Sequence, residues 1–347
     1  MLSGPTGGNV ADVSREPLDV RREVLEAEKR IRFHVRQTPL EPSLWLSQIT
    51  GAEVYLKLEN LQITSSFKYR GAANAILSLS EDQRRRGVVT ASTGNHGTAM
   101  AYLLRKLGLH GSIYVPETAS SAKIDALRLV GGDLVLAGTD GVEAERAARS
   151  DAEQHGRVYV SPYNDPWVVG GQGTIGLELE EQLEGIEAVF CPVGGGGLAA
   201  GIAGYLKAGD ARLQIIGCQP QRSCVMFESI RAGRILDLPS LPTLADGTAG
   251  GIESDTLTFE ICRDRIDEFV LVDESAIATA IRLVLEKHHL LIEGAAALPV
   301  AALLSRAESY RQRRVVLVLT GARISLSALR RVLADRQPAS GRFRAVD

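Results

Sequence analysis

Cysteine is scarce in this chain and is never spaced to hold a metal or a disulfide framework. Cys191, Cys218, Cys224 and Cys262 show no C-x-x-C pair, so neither a zinc ribbon nor a stapled secreted scaffold is expected. Cys191 and Cys218 lie inside apolar strand-like runs, where reduced thiols of a cytosolic protein are buried. The adjacent pair His288-His289 would point about 100° apart on a helix and cannot form an i,i+4 metal pair. No apolar run reaches about 18 residues, so no transmembrane helix is expected. The N-terminus lacks the basic-then-apolar order of a signal peptide. A cytoplasmic protein with no membrane partner follows as the expectation. A net charge of -3 gives no general electrostatic reason for a nucleic-acid partner either. Two short basic runs, Arg84-Arg85-Arg86 and Arg311-Gln312-Arg313-Arg314, read as solvated loop faces ahead of strands.

What the chain does have is length and a rhythm. Its 347 residues, 45% of them hydrophobic, suffice for a large core and for two lobes. After a Gly-, Pro- and Ser-rich tail over residues 1–17, helical periodicity runs from Leu18 to Val35, and Pro39 and Pro42 mark an extended connection. Short β-branched runs then alternate with helical segments. Strands are expected at Glu53–Leu58, Val88–Ala91, Ser112–Val115, Leu134–Ala137, Val158–Val160, Ala188–Pro192, Leu213–Cys218, Phe269–Val272 and Val315–Leu319. Helices are expected at Asn95–Leu107, Ala122–Val130, Gly141–His155, Gly197–Ala208 and Ser275–His288. Such alternation implies an α/β fold with parallel or mixed twisted sheets and flanking helices. No Pro/Gly linker cuts the chain, so one lobe is expected inside the other: residues 74–162 inserted into a larger unit of 18–73 plus 163–347.

Three segments carry chemistry. In Ser65-Ser66-Phe67-Lys68-Tyr69-Arg70-Gly71-Ala72, either serine is a candidate N-cap for a helix through Gly71–Leu77. Lys68 would then stand in the first helical turn, where the dipole and partial desolvation favour its neutral, Schiff-base-forming amine. The octapeptide alone is equally compatible with a surface lysine. Strand Ala188–Val193 runs into Gly194-Gly195-Gly196-Gly197-Leu198, whose backbone N–H groups can form a phosphate nest at a helix start. No Walker lysine follows, and the third glycine of a dinucleotide fingerprint is replaced by Ala199. A plain structural turn is the alternative. Ser92-Thr93-Gly94-Asn95-His96-Gly97, also between strand and helix, offers hydroxyls and backbone donors for a carboxylate, or simply a capping turn.

An amine, a phosphate nest and a carboxylate cradle together suit pyridoxal phosphate acting on an amino acid. With these motifs in this order, residues 18 to 333 resemble the fold type II pyridoxal-phosphate enzymes, of the tryptophan synthase β-like architecture. The resemblance is to their threonine/serine dehydratase and serine racemase branch, which includes a hydroxyectoine-utilisation dehydratase. It implies that Lys68 holds the cofactor with Phe67 beside the ring, that Asn95 bonds the ring's 3'-oxygen, and that Gly194, Gly195, Gly196, Gly197 and Leu198 bind the phosphate. Ser92, Thr93, Gly94 and His96 would hold the substrate carboxylate. Thr320 would face the pyridine nitrogen, Glu293 would lie near the cofactor, and Tyr163 would line the side-chain pocket as a polar ring. A homodimer is also implied.

The chain departs from the family pattern at Thr98, where glutamine is common, and at Gly294, where proline follows the glutamate. Thr320-Gly321-Ala322-Arg323 replaces S-G-G-N, so that Arg323 brings a charge near the cofactor or points to solvent. Gln219 and Val225 stand where relatives ligate a divalent cation, so no metal is expected there. The implied activity is α,β-elimination from a 3-hydroxy amino acid to a 2-oxo acid and ammonia. A racemase or β-replacement enzyme of the same fold is the alternative, with Thr93 at the racemases' serine position. A non-catalytic cofactor-binding protein and a nucleotide-dependent oxidoreductase are the readings from other classes.

Overall fold

The computed structural model describes residues 18–334; the tail expected over 1–17 lies outside the described residues. Among the described residues ten strands form two sheets. In chain order they are β1 (Leu40–Pro42), β2 (Glu53–Lys57), β3 (Val88–Ala91), β4 (Gly111–Val115), β5 (Leu134–Leu136), β6 (Val158–Tyr159), β7 (Ala188–Pro192), β8 (Gln214–Pro220), β9 (Glu268–Val272) and β10 (Arg314–Val318). The larger sheet has the order β1-β2-β10-β7-β8-β9, the smaller β5-β4-β3-β6. Every pairing is parallel except β1 with β2, which run antiparallel with Leu40 opposite Lys57. The stretch read as an extended connection is thus an edge strand. Proline is tolerated there because an edge needs fewer backbone donors.

Parallel strands covered on both faces read as continuous apolar runs, and alternate residues feed opposite cores. Val315 and Leu317 of β10 enter one core with Phe190, while Val316 and Val318 enter the other with Val189 and Cys191. A third core, under β3 and β4, gathers Ile76, Met100, Leu103 and Ile113.

The sequence expectations missed helix Pro166–Gln182, of 17 residues, which is buried along most of its length and shows no polar stripe. It begins with Pro166 behind the N-cap Asp165, which accepts from the Trp167 and Val168 N–H groups. Its glycines permit close helix crossing. A Cβ on Gly173 would sit 2.9 Å from the Gly201 carbonyl of helix Gly197–Gly209. The basic run Arg84–Arg86 is not a loop but the last turn of helix Glu81–Arg86, where cations complement the dipole.

Against helix Pro166–Gln182 lies a fully buried ionic cluster. Arg70 donates to both oxygens of Glu59 (2.8 and 2.9 Å) and both of Glu178 (2.8 and 2.9 Å). Lys57 pairs with Glu178 at 2.6 Å. The two cations and two anions cancel. They tie the start of helix Lys68–Ser78 to β2 and to helix Pro166–Gln182.

Candidate active site

A cavity of about 1000 Å³ opens at the C-terminal ends of the parallel strands and is walled by both sheets. Phe67, Lys68, Ser92, Thr93, Gly94, Asn95, His96, Tyr163, Gly194, Gly195, Gly196, Gly197, Leu198, Glu293 and Thr320 all line it, as does Arg323.

Lys68 opens helix Lys68–Ser78, but neither serine caps that helix. Its N-cap is Phe67, with no side-chain capping bond. The segment before it is instead stitched to the end of β10. Phe67 N–H donates to the Thr320 carbonyl (3.1 Å), Ala322 N–H to that of Ser65 (3.0 Å), and Ser66 bridges Gly321. Ser65 takes φ +60° to make this turn. A long-range strand-like contact thus replaces the local cap and brings Lys68 beside Thr320. The Lys68 amine donates to the Pro162 carbonyl (2.7 Å) and stands 5.1 Å from the Phe67 ring centroid. Desolvation lowers its pKa to about 8, with Glu293 opposing the shift. The neutral, nucleophilic amine is therefore within reach near neutral pH.

The glycine loop is shaped from behind. Gly196 adopts φ +87°, a region glycine reaches without strain. Thr258 Oγ1 donates to the Gly195 carbonyl (2.6 Å) and Cys262 Sγ to that of Gly196 (3.7 Å). In a trans peptide the next N–H points the opposite way, so holding these carbonyls back turns the Gly196 and Gly197 N–H groups forward. None of the Gly194–Gly197 N–H groups has a protein acceptor among the described residues. Sequence reading missed Thr258 and Cys262. Their spacing on one face of helix Leu257–Arg265 was the available signal.

In the second loop, Gly94 N–H donates to Ser92 Oγ (3.2 Å) at the start of helix Asn95–Leu107. His96 is buried; desolvation first, and Lys68 second, push its pKa down to about 3. The ring is neutral. With Nε2 at 3.3 Å from the Val160 carbonyl, the proton belongs on Nε2, and Nδ1 has no partner. The side chain brings no positive charge to a carboxylate, so this loop's donors are backbone N–H groups and hydroxyls.

Glu293 is 4% exposed and joins the two sides. Its Oε1 accepts from Asn95 Nδ2 (2.7 Å) and its Oε2 from Arg323 N–H (3.1 Å). Desolvation raises its pKa to about 7, offset in part by the Asn95 bond. Gly321 is required beside it, since a Cβ there would lie 2.5 Å from Oε1. Thr320 Oγ1 and Asn95 Oδ1 are buried without partners among the described residues. Burial also depresses the Arg323 guanidinium pKa. The Tyr163 ring packs over Gly195, and its hydroxyl accepts the Glu253 N–H (2.8 Å). That hydroxyl is engaged with protein, which weakens its reading as a polar contact for substrate. Gln219 likewise serves the fold, accepting the Phe227 N–H (2.9 Å).

An amine with a depressed pKa, unpaired backbone donors on a glycine nest and an orphaned buried hydroxyl are what pyridoxal phosphate needs at its aldehyde, phosphate and ring nitrogen. Similarity to known proteins points the same way. Residues 31–321 match the family model described as pyridoxal-phosphate dependent enzyme. The chain is 41% identical over 320 residues to an L-threonine ammonia-lyase of Thermotoga maritima, covering 92% of this chain and 79% of that protein. Among solved structures it resembles the processed threonine deaminase isoform 2 of Solanum lycopersicum (TM-score 0.85, 35% identity, 96% and 95% covered). It also resembles maize serine racemase (TM-score 0.84, 30% identity, 90% and 96% covered). The chain belongs to the pyridoxal-phosphate-dependent enzymes of fold type II, in the branch of threonine and serine ammonia-lyases and serine racemases.

Proposed function

We propose that this enzyme removes water and then ammonia from a 3-hydroxy amino acid of the threonine or serine type. The observation that carries this reading is the pairing of a depressed-pKa lysine with a neutral, orphaned hydroxyl, Thr320 Oγ1, on residues that line one cavity. Bound here, pyridoxal phosphate supplies an aldehyde for the substrate amine and a sink for the electrons released at Cα. The Gly194–Leu198 nest grips the phosphate, and the Ser92–His96 turn holds the substrate carboxylate through backbone donors. Lys68 takes the proton as the Cα–H bond breaks. The C–O bond at Cβ then breaks, and the hydroxyl leaves as water with a proton that balances the one taken up by Lys68, which returns to its neutral form. The enamine released takes up water to give a 2-oxo acid and ammonia. Thr320 places no negative charge beside the ring nitrogen, so electrons at Cα are held weakly and instead expel the β-substituent.

Support for threonine or serine as substrate comes from the L-threonine ammonia-lyases of Thermotoga maritima and Geobacter sulfurreducens, 41% and 39% identical to this chain. The inserted unit is taken as residues 74–162, the working form as a homodimer. Ammonia and oxo-acid release, assayed over L-threonine, L-serine and derivatives related to hydroxyectoine, is expected to favour one of the first two. D-serine from L-serine without pyruvate would replace this reading by the racemase.

A further inference from the structure

We infer that Glu253 is a positioning residue for the reactive lysine, acting through Ser161 and the turn that offers Lys68 its acceptor. The inference rests on the proposed role of Lys68 as the amine that receives the cofactor and takes the substrate proton. Lys68 donates to the Pro162 carbonyl at 2.7 Å. That carbonyl lies in an irregular turn between β6 and helix Pro166–Gln182, where no sheet or helix ladder fixes its direction. Side chains must aim it instead.

The turn is wrapped round one hydroxyl. Ser161 Oγ accepts the N–H groups of Tyr163 (3.4 Å) and Asn164 (3.0 Å), which uses both of its lone pairs. Its single proton must then point outward, and it goes to Glu253 Oε1 (3.3 Å). Glu253 grips the same turn twice more. Its Oε2 accepts from Asn164 Nδ2 (2.8 Å), and its N–H donates to the Tyr163 hydroxyl (2.8 Å). Arg149, on helix Gly141–His155, donates to Oε2 as well (2.8 Å). One carboxylate thus fastens both flanks of Pro162, where the chain leaves the unit taken as residues 74–162. Ser161 is 4% exposed, so a hydroxyl that lost this acceptor would have little solvent to turn to.

What Glu253 controls can be read on Lys68. A carbonyl stabilises the ammonium more than the neutral amine, so losing its aim lowers the lysine's proton affinity further below the ordinary 10.5. The other groups facing Lys68 are Glu293, ahead of helix Gly294–Ser305, and the neutral His96 of helix Asn95–Leu107; neither is bonded to Ser161 or Glu253. The test follows reductive methylation of Lys68 in the apo-protein from about pH 6 to 10, with peptide mapping to isolate its rate. Glu253→Gln keeps the side chain's size. Its Oε1 takes Asn164 Nδ2 and Arg149, which forces Nε2, a donor, against a Ser161 Oγ whose lone pairs are taken. The turn must then give up a bond. The Lys68 pKa is expected to fall by about one unit, which makes labelling at pH 7 roughly fivefold faster. Ser161→Ala removes the hub itself and should act likewise, which keeps the inference testable should Glu253→Gln not fold. In the Ser161→Ala background, Glu253→Gln should add nothing. An unchanged or raised Lys68 pKa in either single variant, or a full further shift without Ser161, overturns the inference. A wild-type Lys68 that titrates near 10.5, as a surface lysine does, overturns instead the reading of the site on which it rests.

Discussion

Lys57 and Lys68 are the same residue type, eleven positions apart, and burial lowers the pKa of both. Their partners differ. The Lys57 ammonium engages all three protons, on Thr38 O (2.9 Å), Glu178 Oε2 (2.6 Å) and Gln182 Oε1 (2.8 Å). Among the described residues Lys68 has one acceptor, the Pro162 carbonyl, and no carboxylate within bonding distance. The contrast extends to their neighbourhoods. Around Lys57 each charge of Arg70, Glu59 and Glu178 is answered, whereas around Lys68 the polar atoms Thr320 Oγ1, Asn95 Oδ1, His96 Nδ1 and Ser66 Oγ are left open. Burial alone therefore does not mark an active site in this molecule, and neither does a lone unpartnered atom; several of them gathered round one buried lysine do.

Exchanging each lysine for methionine breaks the comparison in opposite directions. Lys68→Met is expected to lower ammonia release by about 10²–10⁴-fold, the range for loss of a general base, while the protein remains folded. Its apo form should be no less stable than wild type at neutral pH, because the buried ammonium is a liability there. Lys68 has a folded pKa near 8 against an ordinary 10.5. Wild-type stability should therefore climb relative to the variant as pH rises from about 8 toward 10.5. A melting series over that interval reads the difference, and a flat one would place Lys68 in solvent. Borohydride reduction of the holoenzyme and peptide mapping sharpen the same contrast: label on Lys68 and none on Lys57.

Lys57→Met is expected to do the converse. It leaves Glu178 partly unanswered in a buried site, a loss of about 3–5 kcal/mol in denaturant unfolding, with kcat per folded molecule near wild type. Equal damage to activity and stability from both substitutions would dissolve the distinction between the two lysines.

The difference between the two regions also explains what could be read before the fold was known. The strand–loop–helix units at Val88–Leu107 and Ala188–Gly209 declare themselves locally, by β-branched runs that end in glycine and open helices. The cavity-lining residues on those units were legible for the same reason. β1 was not, since Pro39 and Pro42 advertise a break and only pairing with β2 makes a strand of them. Helix Pro166–Gln182 was not, because a helix buried all round has no amphipathic stripe to detect. Ser65 and Ser66 carried a capping signal that lost to contacts with Thr320, Gly321 and Ala322, more than 250 positions away. The Asn95–Glu293 bond and the Arg70 cluster likewise join distant segments that share no local pattern.

A smaller effect is expected at the back of the glycine loop proposed to hold the phosphate, where satisfied bonds serve the unsatisfied site. Thr258→Val removes the donor to the Gly195 carbonyl while keeping the side chain's shape. The carbonyl is then free to turn inward, and the nest loses the fixed direction of an N–H. One net hydrogen bond corresponds to about 0.5–1.5 kcal/mol, so the cofactor dissociation constant should rise roughly 3- to 10-fold, with kcat at saturating cofactor little altered. An unchanged constant would mean that the glycine conformations hold the loop without Thr258.

The smallest effect separates a wall from a substrate contact. Because the Tyr163 hydroxyl accepts the Glu253 N–H and the ring packs over Gly195, Tyr163→Phe removes a scaffold bond and keeps the surface that faces the cavity. Stability should fall by about 0.5–1.5 kcal/mol. The ratio of kcat/KM for threonine over serine should stay within about twofold, since the reacting groups meet the same ring face. A change of about tenfold in that ratio, with stability intact, would return the hydroxyl to the substrate and move Tyr163 from the partnered group of residues to the unanswered one.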